Sequence, residues 1–186
     1  GALAVAAAVA VIEGLLGVQP EDQLRRALSA LPAGGEGRLV PLLLDDGTWL
    51  IDDSYNANPA SMRSSIATAA ELAARERRRL LLVLGEMREL GALAKSEHTA
   101  LGQAISATGA AELVGVGGHA EDMVAAASGI AAVFATNADE ALPLVLSRLR
   151  NGDVILVKGS RGVATEKIVR ALITARGLAS QQRGIA

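Results

Sequence analysis

Three loops contain the residues of this sequence that are best suited to chemistry. They read DDSYNANP at 52–59, GEMRELG at 85–91 and KGSRG at 158–162. Each follows an apolar run that is typical of a buried strand. Because ligands bind where the carboxyl ends of parallel strands meet, we expect the three loops to lie near one site.

The first loop combines groups that suit a nucleotide. The Asp53 carboxylate is suited to ribose hydroxyls, the Asn56 amide to a base edge and the Tyr55 ring to stacking on the base. The loop also runs into a predicted helix N-terminus, whose free amides favour anions. The alternative is structural: Asp and Asn form turns, Asn58 caps the helix and Pro59 takes its first position. Both interpretations stay open from spacing alone.

The other two loops are charged. Lys158 and Arg161, next to exposed backbone amides, predict a receptor for a carboxylate or a phosphate, although a solvated basic turn fits as well. Glu86 and Glu89 have the chemistry to hold a metal or an ammonium group, but a charged surface loop is the more ordinary interpretation. His98, near a predicted helix start, is suited to contacting a substrate, while a capping or surface histidine is the commoner case.

Composition excludes several classes of protein. The 186 residues contain no cysteine and two histidines, so disulfides, thiol catalysis and histidine-rich metal sites are excluded or improbable. A formal net charge of -2 argues against sequence-independent nucleic-acid binding. No GxxxxGK[ST] string provides a standard triphosphate loop. The lack of cysteine suits a reducing compartment, and we expect a cytoplasmic protein.

Strands and helices alternate along most of the chain. Short apolar runs predict strands at 39–44, 49–51, 80–84, 113–116, 131–135 and 154–157. Longer periodic segments predict helices at 60–74, 95–107, 119–127, 138–148 and 164–175. The turn sequence DDG at 45–47 predicts that the first two strands form an antiparallel hairpin. The pattern therefore predicts an α/β fold: a Rossmann-like, mostly parallel sheet with an antiparallel edge hairpin and helices on both faces.

The first 37 residues of the chain have a different pattern. Helices are predicted at 3–16 and 21–31 as a helical hairpin, followed by a glycine-rich boundary at 32–37. The apolar run at 2–18 is mostly alanine and includes Glu13, so a buried helix is expected rather than a membrane span. The predicted units are 1–34 and 35–186, and the abrupt start predicts a piece of a longer protein.

The three loops, in this order and spacing, resemble the Mur ligase family. The similar strings are IDDSYNANPASM at 51–62, VLGEMRELG at 83–91 and LVKGSRG at 156–162, and the likeness covers essentially the whole chain. It implies that 1–34 is the end of the central ATPase domain and that 35–186 is the C-terminal, Rossmann-like domain. Of the three strings, DSYNANP is the most specific. It is typical of the members that add D-alanyl-D-alanine to the UDP-N-acetylmuramoyl-tripeptide precursor of peptidoglycan.

The resemblance also implies a reaction and roles for single residues. ATP and Mg²⁺ are implied to be bound mainly by the central domain, most of which this chain does not include, as it does not include the N-terminal domain. They serve to convert the precursor's carboxylate into an acyl phosphate that the dipeptide amine attacks. Arg38 is implied to reach the ATP phosphates and to stabilise the transferring phosphoryl group. Nucleotide contacts are implied for Asp53, Tyr55, Asn56 and Asn58. Contacts to the substrate carboxylate are implied for Lys158, Ser160 and Arg161, and no metal ligand is assigned in this chain.

Two alternatives remain at the level of sequence. One is a free-standing nucleotide-binding or interaction module without catalysis, and the other is a nicotinamide-dependent oxidoreductase, suggested only by the alternation of strands and helices. If the ligase interpretation holds, the 186 residues alone lack the phosphate loop and are expected not to ligate.

Overall fold

A computed structural model describes residues 37–179 of the chain. The predicted helical hairpin at 3–16 and 21–31, and the predicted boundary between 34 and 35, lie outside the described residues. Within 37–179 the chain forms six strands and five α-helices in alternation after an initial strand pair, as the sequence predicts.

The six strands form one mixed sheet. In chain order they are β1 Val40–Leu43, β2 Trp49–Asp53, β3 Leu80–Gly85, β4 Glu112–Val116, β5 Ala131–Ala135 and β6 Val154–Lys158. Their spatial order is β1-β2-β6-β3-β4-β5. Only β1 and β2 pair in antiparallel fashion, and every other neighbouring pair is parallel. The predicted edge hairpin and parallel sheet are confirmed.

Five α-helices and two short 3₁₀ turns connect the strands. The helices are α1 Pro59–Arg75, α2 Ala94–Ile105, α3 Ala120–Ala126, α4 Ala138–Arg148 and α5 Glu166–Arg176, and the 3₁₀ turns are Gly91–Leu93 and Arg161–Val163. Both ends of every strand and α-helix lie within two residues of the predicted ends. The helix predicted from 164 begins later, at Glu166, because Ala164 has a left-handed backbone with φ 59°. Leu39 likewise has φ 55°, so β1 begins at Val40 rather than at 39.

The core lies on both faces of the sheet. Alternate residues of β3 point to opposite sides: Leu82 belongs to a cluster that includes α1, α2 and α3, whereas Val83 belongs to a cluster that includes α4 and α5. All six residues of β3 are buried, which explains why this strand reads as a continuous apolar run rather than an alternating one. None of the helices within 37–179 has the length and apolar character needed to cross a membrane.

Register places the three loops on one rim. Asp53 at the end of β2 is opposite Lys158 at the end of β6, and Lys158 is also opposite Leu84 near the end of β3. Because these strands are parallel, the segments that follow them start from the same edge of the sheet. The sequence-based expectation that the loops share one edge is therefore confirmed.

Candidate functional site

A buried ion pair joins the ends of β2 and β6. Lys158 Nζ donates to Asp53 Oδ2 at 2.6 Å, and the two residues are 2% and 8% exposed. The ammonium also donates to the backbone carbonyl of Asn56 at 2.9 Å. Lys158 thus has two partners inside the protein, both in the first loop.

The Asp53 carboxylate binds three other parts of the fold. Besides Lys158, its Oδ2 accepts from the Ser65 hydroxyl on α1 at 2.6 Å, and its Oδ1 accepts from the backbone N–H of Leu39 at 3.0 Å. A buried carboxylate is stable when its oxygens have such partners. The structure therefore gives both members of the pair internal contacts. Their implied contacts to nucleotide and substrate stay predictions.

Arg38, Tyr55 and Arg161 meet at the surface above this pair. The guanidinium carbon of Arg38 lies 4.3 Å from the centre of the Tyr55 ring, and that of Arg161 lies 5.7 Å from it. All three residues are exposed, and the tyrosine ring is close enough to both cations for cation–π attraction. Two guanidinium groups around one exposed ring have the chemistry to bind a phosphate or a carboxylate.

The two asparagines of the first loop have local roles. Asn58 is the N-cap of α1: its side chain accepts from Ser61 N at 2.8 Å, and the Ser61 hydroxyl accepts in return from Asn58 N. Pro59 follows as the first helical residue, so the predicted cap is confirmed. Asn56 Oδ1 accepts from the N–H of Ala57 at 2.8 Å. Both asparagines are exposed, and their implied nucleotide contacts remain predictions.

Ser160 connects the last loop to the middle one. Its hydroxyl accepts from Arg88 N at 2.9 Å, and its own N–H donates to the carbonyl of Glu86 at 3.2 Å. The side chain is buried, so it acts here through the neighbouring loop. The substrate contact implied for Ser160 is not tested by this geometry.

The middle loop also lies against the start of α3. Glu86 Oε1 accepts from His119 N at 3.2 Å, and its Oε2 lies 3.6 Å from Arg88 Nε. No group of three or more acidic, histidine or cysteine residues within 37–179 is arranged to hold a metal ion. In the described structure the Glu86 carboxylate takes part in contacts between loops.

His98 holds the middle loop through a hydrogen bond to Met87, a role that the sequence analysis missed. Its Nε2 accepts from Met87 N at 2.9 Å, and its Nδ1 lies 2.7 Å from the carbonyl of Ala94. These partners assign the proton of the neutral ring to Nδ1. The residue is fully buried, and burial lowers the pKa of the imidazole below its ordinary value, with the nearby His119 adding to the decrease.

We expect this histidine to make stability depend on pH. Because its folded-state pKa is lowered, the unfolded chain binds more protons below about pH 6.5, the ordinary value for histidine. The free energy of unfolding should therefore be highest above that pH and decrease as the pH falls toward the folded-state pKa. Urea titrations at pH 7.5 and pH 5.5, followed by circular dichroism, measure the difference.

Two substitutions test whether His98 causes the effect. His98→Gln should unfold more easily at pH 7.5, since it loses the ring contacts, but should show a smaller difference between the two pH values. His119→Gln removes an exposed imidazole that bonds to Asp122, and it should keep most of the wild-type difference. An unchanged pH dependence in His98→Gln would show that other groups cause it.

Comparison with known proteins places this geometry in a family. Residues 37–161 match the family model described as "Mur ligase, glutamate ligase domain". Over 153 residues the chain is 37% identical to UDP-N-acetylmuramoyl-tripeptide--D-alanyl-D-alanine ligase of Escherichia coli. The alignment covers 81% of this chain and 32% of the relative. The ligase of the same name from Bacillus subtilis is 34% identical over 169 residues, covering 84% and 34%.

Solved structures agree with the sequence relatives. MurF from Acinetobacter baumannii superposes with a TM-score of 0.64 and 31% identity, covering 85% of this chain and 34% of that one. MurF ligase from Thermotoga maritima in complex with ADP gives 0.62 and 26%, covering 78% and 32%. The chain thus spans about a third of the length of the relatives it matches. On the family match and these identities, the chain belongs to the Mur ligase family.

Proposed function

We propose that the chain acts as the C-terminal part of an ATP-dependent ligase that adds D-alanyl-D-alanine to UDP-N-acetylmuramoyl-tripeptide in peptidoglycan synthesis. The observation that carries the proposal is the 37% identity, over 81% of the chain, to the Escherichia coli ligase that bears this name. The DSYNANP loop adds support because its Asp53 pairs with Lys158 and its Tyr55 lies beside Arg38. Such a reaction takes place in the cytoplasm, where ATP is available.

The exposed cations fit a role in phosphoryl transfer. In the proposed reaction ATP supplies the phosphoryl group that activates the precursor's terminal carboxylate, which the amine of the dipeptide then attacks. We assign to Arg38 the binding of the negatively charged phosphates and the stabilisation of the charge that develops during transfer. Its exposed position beside Tyr55 supports this assignment. As the family resemblance implies, we assign Mg²⁺ mainly to the domains of the relatives that this chain does not span.

The remaining residues divide between the two substrates. On the nucleotide side we place Tyr55, Asn56 and Asn58, with Asp53 beneath them. On the dipeptide side we place the Arg161 guanidinium, whose planar geometry matches a carboxylate. Lys158 and Ser160 complete that side by fixing the loop from which Arg161 projects, through their bonds to Asn56 and Arg88.

The proposal predicts that activity depends on the rest of the ligase. The 186-residue chain and a longer protein that adds N-terminal and central domains would each be mixed with ATP, Mg²⁺, the UDP-tripeptide and D-alanyl-D-alanine. Phosphate release that requires the dipeptide is expected from the longer protein only, because the chain lacks a triphosphate loop. Measurable turnover by the chain alone would contradict this prediction.

The same assay separates the ligase from a non-catalytic module. A nucleotide-binding or interaction module predicts no dipeptide-dependent phosphate release from either protein. Replacing D-alanyl-D-alanine with L-alanyl-L-alanine provides the control for substrate stereochemistry. Release that is equal with both dipeptides would contradict the proposed substrate while leaving an ATP-dependent activity.

A further inference from the structure

The backbone around Arg38 adopts an unusual conformation. Arg38 lies between Gly37, with φ 72°, and Leu39, with φ 55°. The left-handed region is easy for glycine but costly for leucine, and a non-glycine residue keeps it only where surrounding contacts impose it. A specific interaction must therefore hold Leu39 in this state.

Contacts with the first loop supply that interaction. The N–H of Leu39 donates to Asp53 Oδ1 at 3.0 Å, and the N–H of Tyr55 donates to the carbonyl of Gly37 at 2.9 Å. A Cβ atom on Gly37 would lie 3.1 Å from Tyr55 N, so the two segments approach each other closely. Arg38 is thus held from both sides, and its guanidinium lies on the ring of Tyr55.

We propose that Asp53 is a positioning residue: its carboxylate fixes residues 37–39 and thereby places the guanidinium of Arg38 over Tyr55. The carboxylate is suited to this role because it is itself immobilised by Lys158 and Ser65, each at 2.6 Å, from β6 and α1. A charged acceptor gives the Leu39 N–H a stronger bond than a neutral one. In this role Asp53 acts through Arg38. The catalytic role of Arg38 rests on the proposed function, but its placement does not.

Amide hydrogen exchange of the 186-residue chain, followed by NMR, tests the placement directly. Four proteins are compared: wild type, Ser65→Ala, Asp53→Asn/Lys158→Met and Asp53→Ala/Lys158→Met. The double variants remove both charges, so that no unpaired ion remains buried. Ser65→Ala is the matched control, because it removes a contact to Oδ2 and leaves the bond between Oδ1 and Leu39 N. Protection at Leu39 is expressed relative to that of Val83 in the central strand β3.

The relative protection of Leu39 should follow the quality of the acceptor. We expect protection close to that of wild type in Ser65→Ala, because Lys158 still holds the carboxylate. We expect a partial loss with the neutral asparagine, and a loss of about tenfold or more with alanine, as for a lost bond to a charged acceptor. The ring-current shift that Tyr55 imposes on the Arg38 side-chain protons should disappear in the alanine double variant. Unchanged protection and an unchanged Arg38 shift in that variant would overturn the proposal.

A failure of the alanine double variant to fold would still leave a decisive measurement. If the alanine double variant does not fold, the asparagine double variant decides, and protection equal to wild type there overturns the proposal. None of these readouts involves ATP or the peptide substrates. A failure of the positioning proposal is therefore distinct from a failure of the proposed ligase function.

Discussion

Replacing Arg38 with alanine in the longer ligase should lower the turnover number by about 100- to 1000-fold, the usual result of removing one donor that stabilises a transition-state charge. The expectation rests on its exposed position, 4.3 Å from the ring of Tyr55 and on the rim where the loops meet. Stability should change little, because the side chain is exposed. Dipeptide-dependent phosphate release at saturating substrate measures the effect.

Two further arginine variants make the result specific. Arg38→Lys keeps a positive charge but loses the planar guanidinium, so its rate should lie between those of wild type and alanine. Arg170→Ala removes an exposed arginine from α5 and should leave the rate unchanged. If Arg38→Ala retained the wild-type turnover number, the catalytic role proposed for Arg38 would be contradicted.

The fold was largely predictable because its signals are local. The continuous apolar run of β3 could be recognised from its own residues, and so could the DDG turn before β2 and the asparagine and proline that start α1. Right-handed crossovers and parallel pairing then bring the loops after β2, β3 and β6 to one rim. The convergence of the site followed from topology, without knowledge of any side-chain contact.

The contacts within the site could not be predicted in the same way. Asp53 and Lys158 are 105 residues apart in sequence, and their pairing depends on the register between β2 and β6, which short motifs do not specify. An aspartate and a lysine are equally suited to a ligand site and to a buried ion pair. Only the direction of their side chains distinguishes the two cases, and short motifs do not predict that direction. His98 looked like a capping or surface residue for the same reason: its burial depends on how α2 packs under the middle loop.

Positive φ angles show a second limit of sequence analysis. Leu39 and Ala164 are residue types that rarely take left-handed conformations, so periodicity extended β1 and α5 across them. Both positions flank arginines of the candidate site: Leu39 follows Arg38, and Ala164 ends the 3₁₀ turn that begins at Arg161. Predictions from local backbone preference are therefore wrong at these two positions, where tertiary contacts next to the candidate site impose an unfavourable conformation.

Replacing Lys158 with methionine should destabilise the domain by about 3 kcal/mol or more. Methionine preserves most of the side-chain volume but leaves the Asp53 carboxylate buried without its cation, and an uncompensated buried charge is costly. At 2% exposure the lysine has little access to solvent that could screen the loss. Urea unfolding of the 186-residue chain gives the free energy, provided that the slope with urea stays constant.

A comparison with a surface pair distinguishes burial from simple charge attraction. Lys167 and Asp139 form an ion pair at 2.9 Å, but their side chains are 52% and 76% exposed, so Lys167→Met should cost less than about 1 kcal/mol. The double variant Asp53→Asn/Lys158→Met should be more stable than Lys158→Met alone, because it removes the unpaired charge together with its partner. If Lys158→Met cost no more than Lys167→Met, the ion pair could not be what joins β6 to the first loop. The loop would then be held by its other bonds, which include those of Asp53 to Ser65 and Leu39 and that of Tyr55 to Gly37.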